Sequence, residues 1–452
     1  MGLPIHGPPI VGWEYDHGRV PKGLCGLGSE TICFSGTSLD GLYSLKGFGA
    51  LIGSYDPRVH QEVRENGPQP LIQKCLYLGL CHPTCSSTAK HITHTEDGYL
   101  LALQHVSSRN GNIKLQNGSH VLLQHGLFMG ALQNRNFAPF WGSGDAWQNN
   151  SNDPSRGSHL VEQGVDLSIS NTRCTSWAIG YVYAGICSKE FWDWSWEQLA
   201  LNDLPKIIGF IHSATKSKVF LVGHSQGTIM SLAALTQPHI SVMVEAAALL
   251  CPISYLGHIH APLVHRMVNM HLDEMILSMG IHQLNFRSKL LVDLLDAICD
   301  GHLECTNLLS SITGFDCKFL DHRVDFRIEY EPQPSSTKNL HHLFQMIRTG
   351  AFSKYDYGMI KNFKLYGQLK PPVFNLSLMP KPLPLWLAYG GRDALADVQD
   401  VEHMLKEVQS KPRLLYLEDY GHVDFILSSR AKEDVYEHMI SFFMSVKRSS
   451  SY

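Results

Sequence analysis

Apolar and polar positions alternate in recognisable patterns from about residue 91 onward, and these patterns predict the elements. The stretch 91-HITHTEDGYLLALQHV-106 reads as two strands around a Glu-Asp-Gly turn. In 120-HVLLQHG-126 a short apolar run is closed by glycine, as in a buried strand. Residues 131–157 are polar and rich in Gly and Asn, which predicts a long loop, and 165-VDLSIS-170 reads as a weaker strand. Within 191–216, Leu199, Leu204, Ile207, Ile208 and Ile211 recur at helical spacing, with a kink expected near Pro205. A strand over 218–223, a helix after Ser225 and a buried strand within 242–252 follow. Later come strands within 383–393 and 413–422 and a final helix from Lys432 to Val446. Strands alternating with helices imply an α/β fold, a mainly parallel sheet with helices on both faces.

Two regions break this rhythm. Residues 1–70 are rich in Gly and Pro without sustained periodicity, and 1–85 reads as an atypical, poorly ordered leader. Residues 253–377 carry helical segments, such as 262–280 and 340–352, with no strand of comparable quality between them. The expected organisation is a core over 86–252, divergent across 131–188, then a helical cap over 253–377 and a second part of the core over 378–452.

Composition changes this picture little. Hydrophobic residues make up 44% and charged residues 17%, so a sizeable core can form. The net charge of −4 and the absence of a Lys/Arg block give no nucleic-acid partner and no electrostatic membrane anchor. No apolar run is long enough for a transmembrane helix, and the N-terminal residues lack the basic and apolar parts of a signal peptide. The eleven cysteines form no CxxC pair, so neither a zinc ribbon nor a thioredoxin-like site is expected, and no cofactor or metal is called for. Cys75, Cys81 and Cys85 cluster, as do Cys299, Cys305 and Cys317. The plainest reading is buried thiols, with one or two disulfides if the chain enters an oxidising compartment. Sequons at Asn117, Asn149 and Asn375 support a secretory route only weakly.

The chemistry concentrates at 218-KVFLVGHSQGTIMSLAAL-235. A strand running through G-x-S-x-G into a helix is a nucleophile elbow: the tight turn lifts the serine Oγ above the sheet, and glycines on either side avoid steric clashes. The bare pattern arises by chance roughly 0.3 times in a chain this long. Its placement between KVFLV and TIMSLAALTQ is what makes Ser225 the candidate nucleophile. Serine needs a base, an orienting acid and an oxyanion hole. In this fold the acid and base follow the serine in the chain, and two late strands end in suitable groups, Asp393 after LPLWLAYGG and His422 after LLYLEDYG. Asp397, Asp400 and Asp424 compete with Asp393 for the acid role. The oxyanion donors expected are the backbone N–H of Gln226, next after the nucleophile, and that of Leu127, after the strand-ending Gly126.

At these motifs the chain resembles the acid lipases, the family of lysosomal and gastric lipase, and most of all their plant triacylglycerol lipase relatives. HTEDGYLLALQ, LLQHGL, KEFWDWSWEQLALNDLP, GHSQGT, LAYGGRDALADVQDV and EDYGHVDFI carry the resemblance over about 86–130 and 189–452. It implies an α/β-hydrolase core, a helical cap and hydrolysis of long-chain acyl esters. It carries the nucleophile to Ser225, the acid to Asp393, the base to His422 and the oxyanion hole to Leu127 and Gln226. It also implies a lipid ester substrate (acylglycerol or sterol ester), action at a lipid–water interface and a secretory or lysosome-type location. The family's G-N-x-R-G-T segment appears here as Ser170-Asn171-Thr172-Arg173-Cys174-Thr175. With both glycines replaced, backbone strain and impaired activity are expected there if those positions need positive φ.

The chain between Ser225 and Asp393 far exceeds the roughly 50 residues that core units need. A helical lid is how an esterase shields an acyl chain from water. Met267, Met270, Met275 and Met279, at near-helical spacing, read either as a pliable acyl-binding wall or as ordinary packing of cap on core. The leading reading is a serine lipase acting through an acyl-enzyme. The alternatives are a catalytically impaired lipid-binding relic, or esterase, thioesterase or peptidase chemistry on the same triad.

Overall fold

The computed structural model describes residues 87–107, 120–129, 166–173, 180–181, 188–285, 312–314 and 332–450. The leader over 1–85, the loop over 131–157, Cys174, both cysteine clusters, Asn117 and Asn149 lie outside the described residues.

The strands are β1 (Ser87–His94), β2 (Tyr99–Ser107), β3 (His120–Gln124), β4 (Asp166–Ser170), β5 (Gly180–Tyr181), β6 (Val219–His224), β7 (Val244–Leu250), β8 (Gln283–Leu284), β9 (Ser335–Ser336), β10 (Leu385–Gly390) and β11 (Arg413–Leu417). The main sheet runs β1-β2-β4-β3-β6-β7-β10-β11, with β5 beside β2. β1 and β2 are antiparallel, and β2 is antiparallel to β4 and β5. From β4 to β11 every neighbouring pair is parallel. β3, β6 and β10 are buried at every residue, which is why they read as unbroken apolar runs.

Register decides which face each helix covers. His91 opposes Leu103, His105 opposes Ser168, and His120 opposes both Asp166 and Val219, so these residues share one face. On that face the helix Leu204–Thr215 places Phe210 against His91, with ring centroids 5.4 Å apart. On the other face Phe220 meets Phe443 of the helix Glu437–Ser450, 4.8 Å between centroids. Helices therefore cover both faces, as the alternation implies.

The segment KEFWDWSWEQLALNDLP builds the entry to the first of these helices. Ser195 caps Trp196–Gln198 in a capping box with Gln198. Trp194 and Trp196 are fully buried, and Trp196 stacks on His342 at 4.6 Å. The irregularity expected at Pro205 falls just before it. A π turn over Leu199–Asp203 precedes Leu204–Thr215, so Pro205 sits in a first turn, where its missing N–H costs nothing.

Between β7 and β10 the described chain is mostly helical: Pro262–Asn269, Leu272–Ser278, Thr337–Thr349 and Met359–Tyr366, with the short β8–β9 pair. Leu263, Leu272, Ile276 and Leu284 form a small second core, and Phe128, at the end of the β3 loop, packs against it. The methionines divide. Met267 packs on the core, whereas Met270, Met275 and Met279 are exposed at 54%, 42% and 53%, so most of the expected stripe neither walls a pocket nor packs.

The expectation of strain at Ser170 is corrected. Ser170 is an ordinary strand residue opposite Leu103 and is absent from the residues with positive φ. Its hydroxyl bonds Gln124 Oε1 at 2.6 Å and lies 3.2 Å from the Leu123 carbonyl. Serine here links β4 to β3 without a backbone penalty.

Candidate active site

β6 leads into Ser225, the N-cap of the helix Gln226–Leu235, at φ 54° and ψ −122°. Few non-glycine residues adopt such angles, and holding one there costs of order 1–3 kcal/mol. The flanking glycines permit the turn. A Cβ on Gly227 would lie 2.4 Å from the Gln124 carbonyl oxygen, and one on Gly223 would lie 2.8 Å from that of Gly227. Only bare backbone lets β3, β6 and the helix approach this closely. The turn is tied down from below: Ser225 N–H donates to Leu250 O at 3.1 Å. Thr228 Oγ1 donates to Ser225 O at 2.6 Å and accepts from the Ile253 N–H at 2.8 Å.

The tertiary structure brings His422 and Asp393 to this serine. His422 Nε2 lies 2.7 Å from Ser225 Oγ, and His422 Nδ1 lies 2.9 Å from Asp393 Oδ2 and 3.0 Å from Oδ1. An Nδ1 facing a carboxylate carries the proton, which leaves Nε2 to accept from the serine hydroxyl. His422 and Asp393 are buried, and Ser225 is half-exposed at the surface of the site. Burial alone would raise the Asp393 pKa, yet the charge and hydrogen bond of His422 and the N–H groups of Ala396 and Leu395 outweigh it and hold the carboxyl below its usual value. Those amides donate to Oδ1 at 2.7 and 2.9 Å. The competing acids are engaged elsewhere. Asp397 caps the helix Val398–Glu407, Asp400 bonds His258 at 2.7 Å, and Asp424 accepts from the Gly421 N–H at 2.7 Å.

The β3 loop lies over the serine. A Cβ on Gly126 would stand 3.0 Å from that of Ser225, and Leu127 follows directly. His125 steadies this loop by bonding the Gly126 carbonyl at 2.8 Å. Its burial pushes the ring down to about 4, so it is neutral. Gln226, the other expected oxyanion residue, is buried, and its side-chain Oε1 accepts from Asn339 Nδ2 at 2.8 Å.

Sequence reasoning missed the contacts that the inserted region makes here. The Asn339–Gln226 bond is one. The Gln333 N–H donates to Phe128 O at 2.8 Å, and the His422 N–H donates to Thr313 O at 2.9 Å. It also missed the buried ion pairs of Arg173. Its guanidinium bridges Asp97 (2.6 and 3.0 Å) and Asp203 (Nε to Oδ1, 2.9 Å) and lies 3.7 Å over the Tyr99 ring. The charge of Arg173 and its bonds hold Asp97 below its ordinary pKa against the upward push of burial. Three motifs (EDGY, NTR and LALND) are thus joined by one buried cation. The one sequence signal was that Arg173 falls in the family's G-N-x-R-G-T segment.

The partial alpha/beta-hydrolase lipase region model matches residues 86–133, which covers β1 to β3 and the start of the loop after β3. The chain is 55% identical over 373 residues to triacylglycerol lipase 1 of Arabidopsis thaliana, covering 82% of this chain and 91% of that protein. The chain belongs to the acid lipase family. Triacylglycerol lipase 2 of Arabidopsis thaliana is 32% identical over 94% of this chain and 98% of its own length. Gastric triacylglycerol lipase of Homo sapiens is 31% identical over 78% and 87%. This acid lipase is an α/β hydrolase and a carboxylic ester hydrolase of lipase type. Among the described residues, no helix is long and apolar enough to cross a membrane.

Proposed function

We propose that this lipase hydrolyses acylglycerol esters through an acyl-enzyme on Ser225, and the 2.7 Å Ser225–His422 contact, completed by Asp393, carries the reading. His422 Nε2 takes the hydroxyl proton as Ser225 Oγ attacks the ester carbonyl, and Asp393 orients the ring and stabilises the imidazolium. The N–H groups of Leu127 and Gln226 receive the oxyanion. His422 returns the proton to the leaving alcohol, and a water activated the same way releases the fatty acid. Ser225, His422 and Asp393 act as one unit, so the effects of removing them are not additive.

The substrate class rests on the relatives' names and on the surface of the inserted region. The helix Met359–Tyr366 exposes Met359, Ile360, Phe363 and Leu365 alongside Lys361 and Lys364. Apolar side chains flanked by cations suit adsorption to an emulsified lipid. In this reading residues 253–377 form a lid that shields the acyl chain, anchored to the site through Phe128, Gln226 and His422. The exposed sequon at Asn375 supports passage through a secretory route. The ordinary backbone of Ser170 removes one of the two positions on which the relic alternative rests, the other being Cys174, outside the described residues. The purified protein is expected to hydrolyse emulsified long-chain triacylglycerol faster than soluble short-chain esters. A preference for the soluble esters would reassign it to the esterases.

A further inference from the structure

A second cluster of ionisable side chains stands on the face of the sheet covered by the helix Leu204–Thr215. His105 opposes Ser168, and Asp166, two residues earlier in β4, opposes His120. Register therefore puts His105, Asp166 and His120 on adjacent strands of one face. His120 Nε2 lies 3.7 Å from Asp166 Oδ2, and His105 Nε2 lies 4.0 Å from Asp166 Oδ1. The three ligand atoms all fall within 4.8 Å of one another. Neither contact is short enough for a hydrogen bond. Yet both Nε2 atoms are shielded from solvent and have no hydrogen-bond partner, although His120 is 3% exposed. Buried polar atoms in native structures almost always find a partner, and two imidazole nitrogens aimed at one carboxylate call for a cation.

We propose that His105, His120 and Asp166 bind a zinc ion. Two imidazoles and a carboxylate, with a fourth position open to water, form a donor set that zinc accepts. Zinc at its usual ~2.0–2.1 Å bond lengths sets tetrahedral ligand atoms roughly 3.3 Å apart, so separations of up to 4.8 Å would shorten by up to about 1.5 Å, a movement shared among three side chains, to close the site. Both rings are held below their usual pKa, burial being the main cause, which keeps them neutral and able to ligate. His105, Asp166 and the neighbouring His91 are half-buried, and they provide the entry path from solvent. The role is structural. His120 begins β3 and Asp166 begins β4, whereas the loop over Ser225 leaves the far end of β3, so the ion would clamp β2, β4 and β3 at the edge opposite the triad. No sequence motif announces the site because its ligands come from three separate strands.

The test is zinc titration of the purified, chelator-treated full chain by calorimetry, with cobalt substitution read in the visible spectrum. One tight equivalent is expected, with a rise of a few degrees in thermal midpoint. Cobalt should show ligand-field bands without the sulfur charge-transfer band that binding at Cys251, near His422 and Asp393, would give. His120→Gln and Asp166→Asn should each weaken binding on the order of a hundredfold. Since either variant can fail to fold, zinc X-ray absorption on the unaltered chain serves as the second measurement, with two imidazoles expected in the shell. Absence of a tight equivalent, a sulfur-ligated ion, or affinity unchanged in both variants would overturn the proposal.

Discussion

His422 Nε2 and Ser225 Oγ meet at 2.7 Å although 197 positions separate them in the chain. The serine reaches this point only by holding φ at 54°. Ser225→Ala should abolish ester turnover and leave the fold intact, because alanine keeps the same backbone strain. Ser225→Gly should be equally inactive yet more stable by about 1 kcal/mol, since glycine reaches positive φ freely. Ester kinetics and urea midpoints of both variants check this, and a glycine variant no more stable than the alanine one would mean the turn is unstrained.

Asp393→Asn should lower kcat by roughly 10⁴-fold, the order seen when a triad histidine is held in the wrong tautomer. Asp397→Asn keeps an acceptor for the Gln399 N–H at the helix N-cap and loses only the charge beside the exposed His260, so it should cost far less in rate and under about 1 kcal/mol in stability. Reversed kinetic results would move the acid to Asp397.

Arg173→Met should destabilise the fold by about 3–5 kcal/mol. It removes the one cation between Asp97 and Asp203 and leaves a fully buried carboxylate without its partner. Denaturant unfolding measures the loss. A cost under about 1 kcal/mol would show that water reaches Asp203.

Stability should fall as the solution is acidified below about pH 6.5. His125, His224 and His342 are wholly buried, and burial pushes their rings from 6.5 to about 4, about 3 and about 3. Between those values and 6.5 the unfolded chain binds protons that the folded chain refuses. Their contribution is therefore complete above pH 6.5 and declines towards the folded-state values, at up to about 1.4 kcal/mol per pH unit for each ring. Unfolding midpoints at a series of pH values test it, and a flat profile across this window would contradict the burial of these rings.

The sequence alone determined the order of strands and helices, the elbow at Ser225, and the candidates Asp393, His422, Leu127 and Gln226. These are local properties. A strand buried on both faces must be apolar throughout, and a turn as tight as Gly223–Gly227 must exclude Cβ atoms at its flanks. The strand-end position and the resemblance favoured Asp393 as the acid, yet Asp393, Asp397, Asp400 and Asp424 are chemically alike until the fold gives each a partner. The strain expected at Ser170 was drawn from a missing glycine, and only the strand pairing to Leu103 showed that the backbone there is ordinary. The ion pairs of Arg173, the Asn339–Gln226 bond and the His105–His120–Asp166 cluster were likewise invisible. Their partners lie in distant segments, and a one-dimensional pattern carries period and propensity but not the cross-strand register and packing that bring such groups within reach.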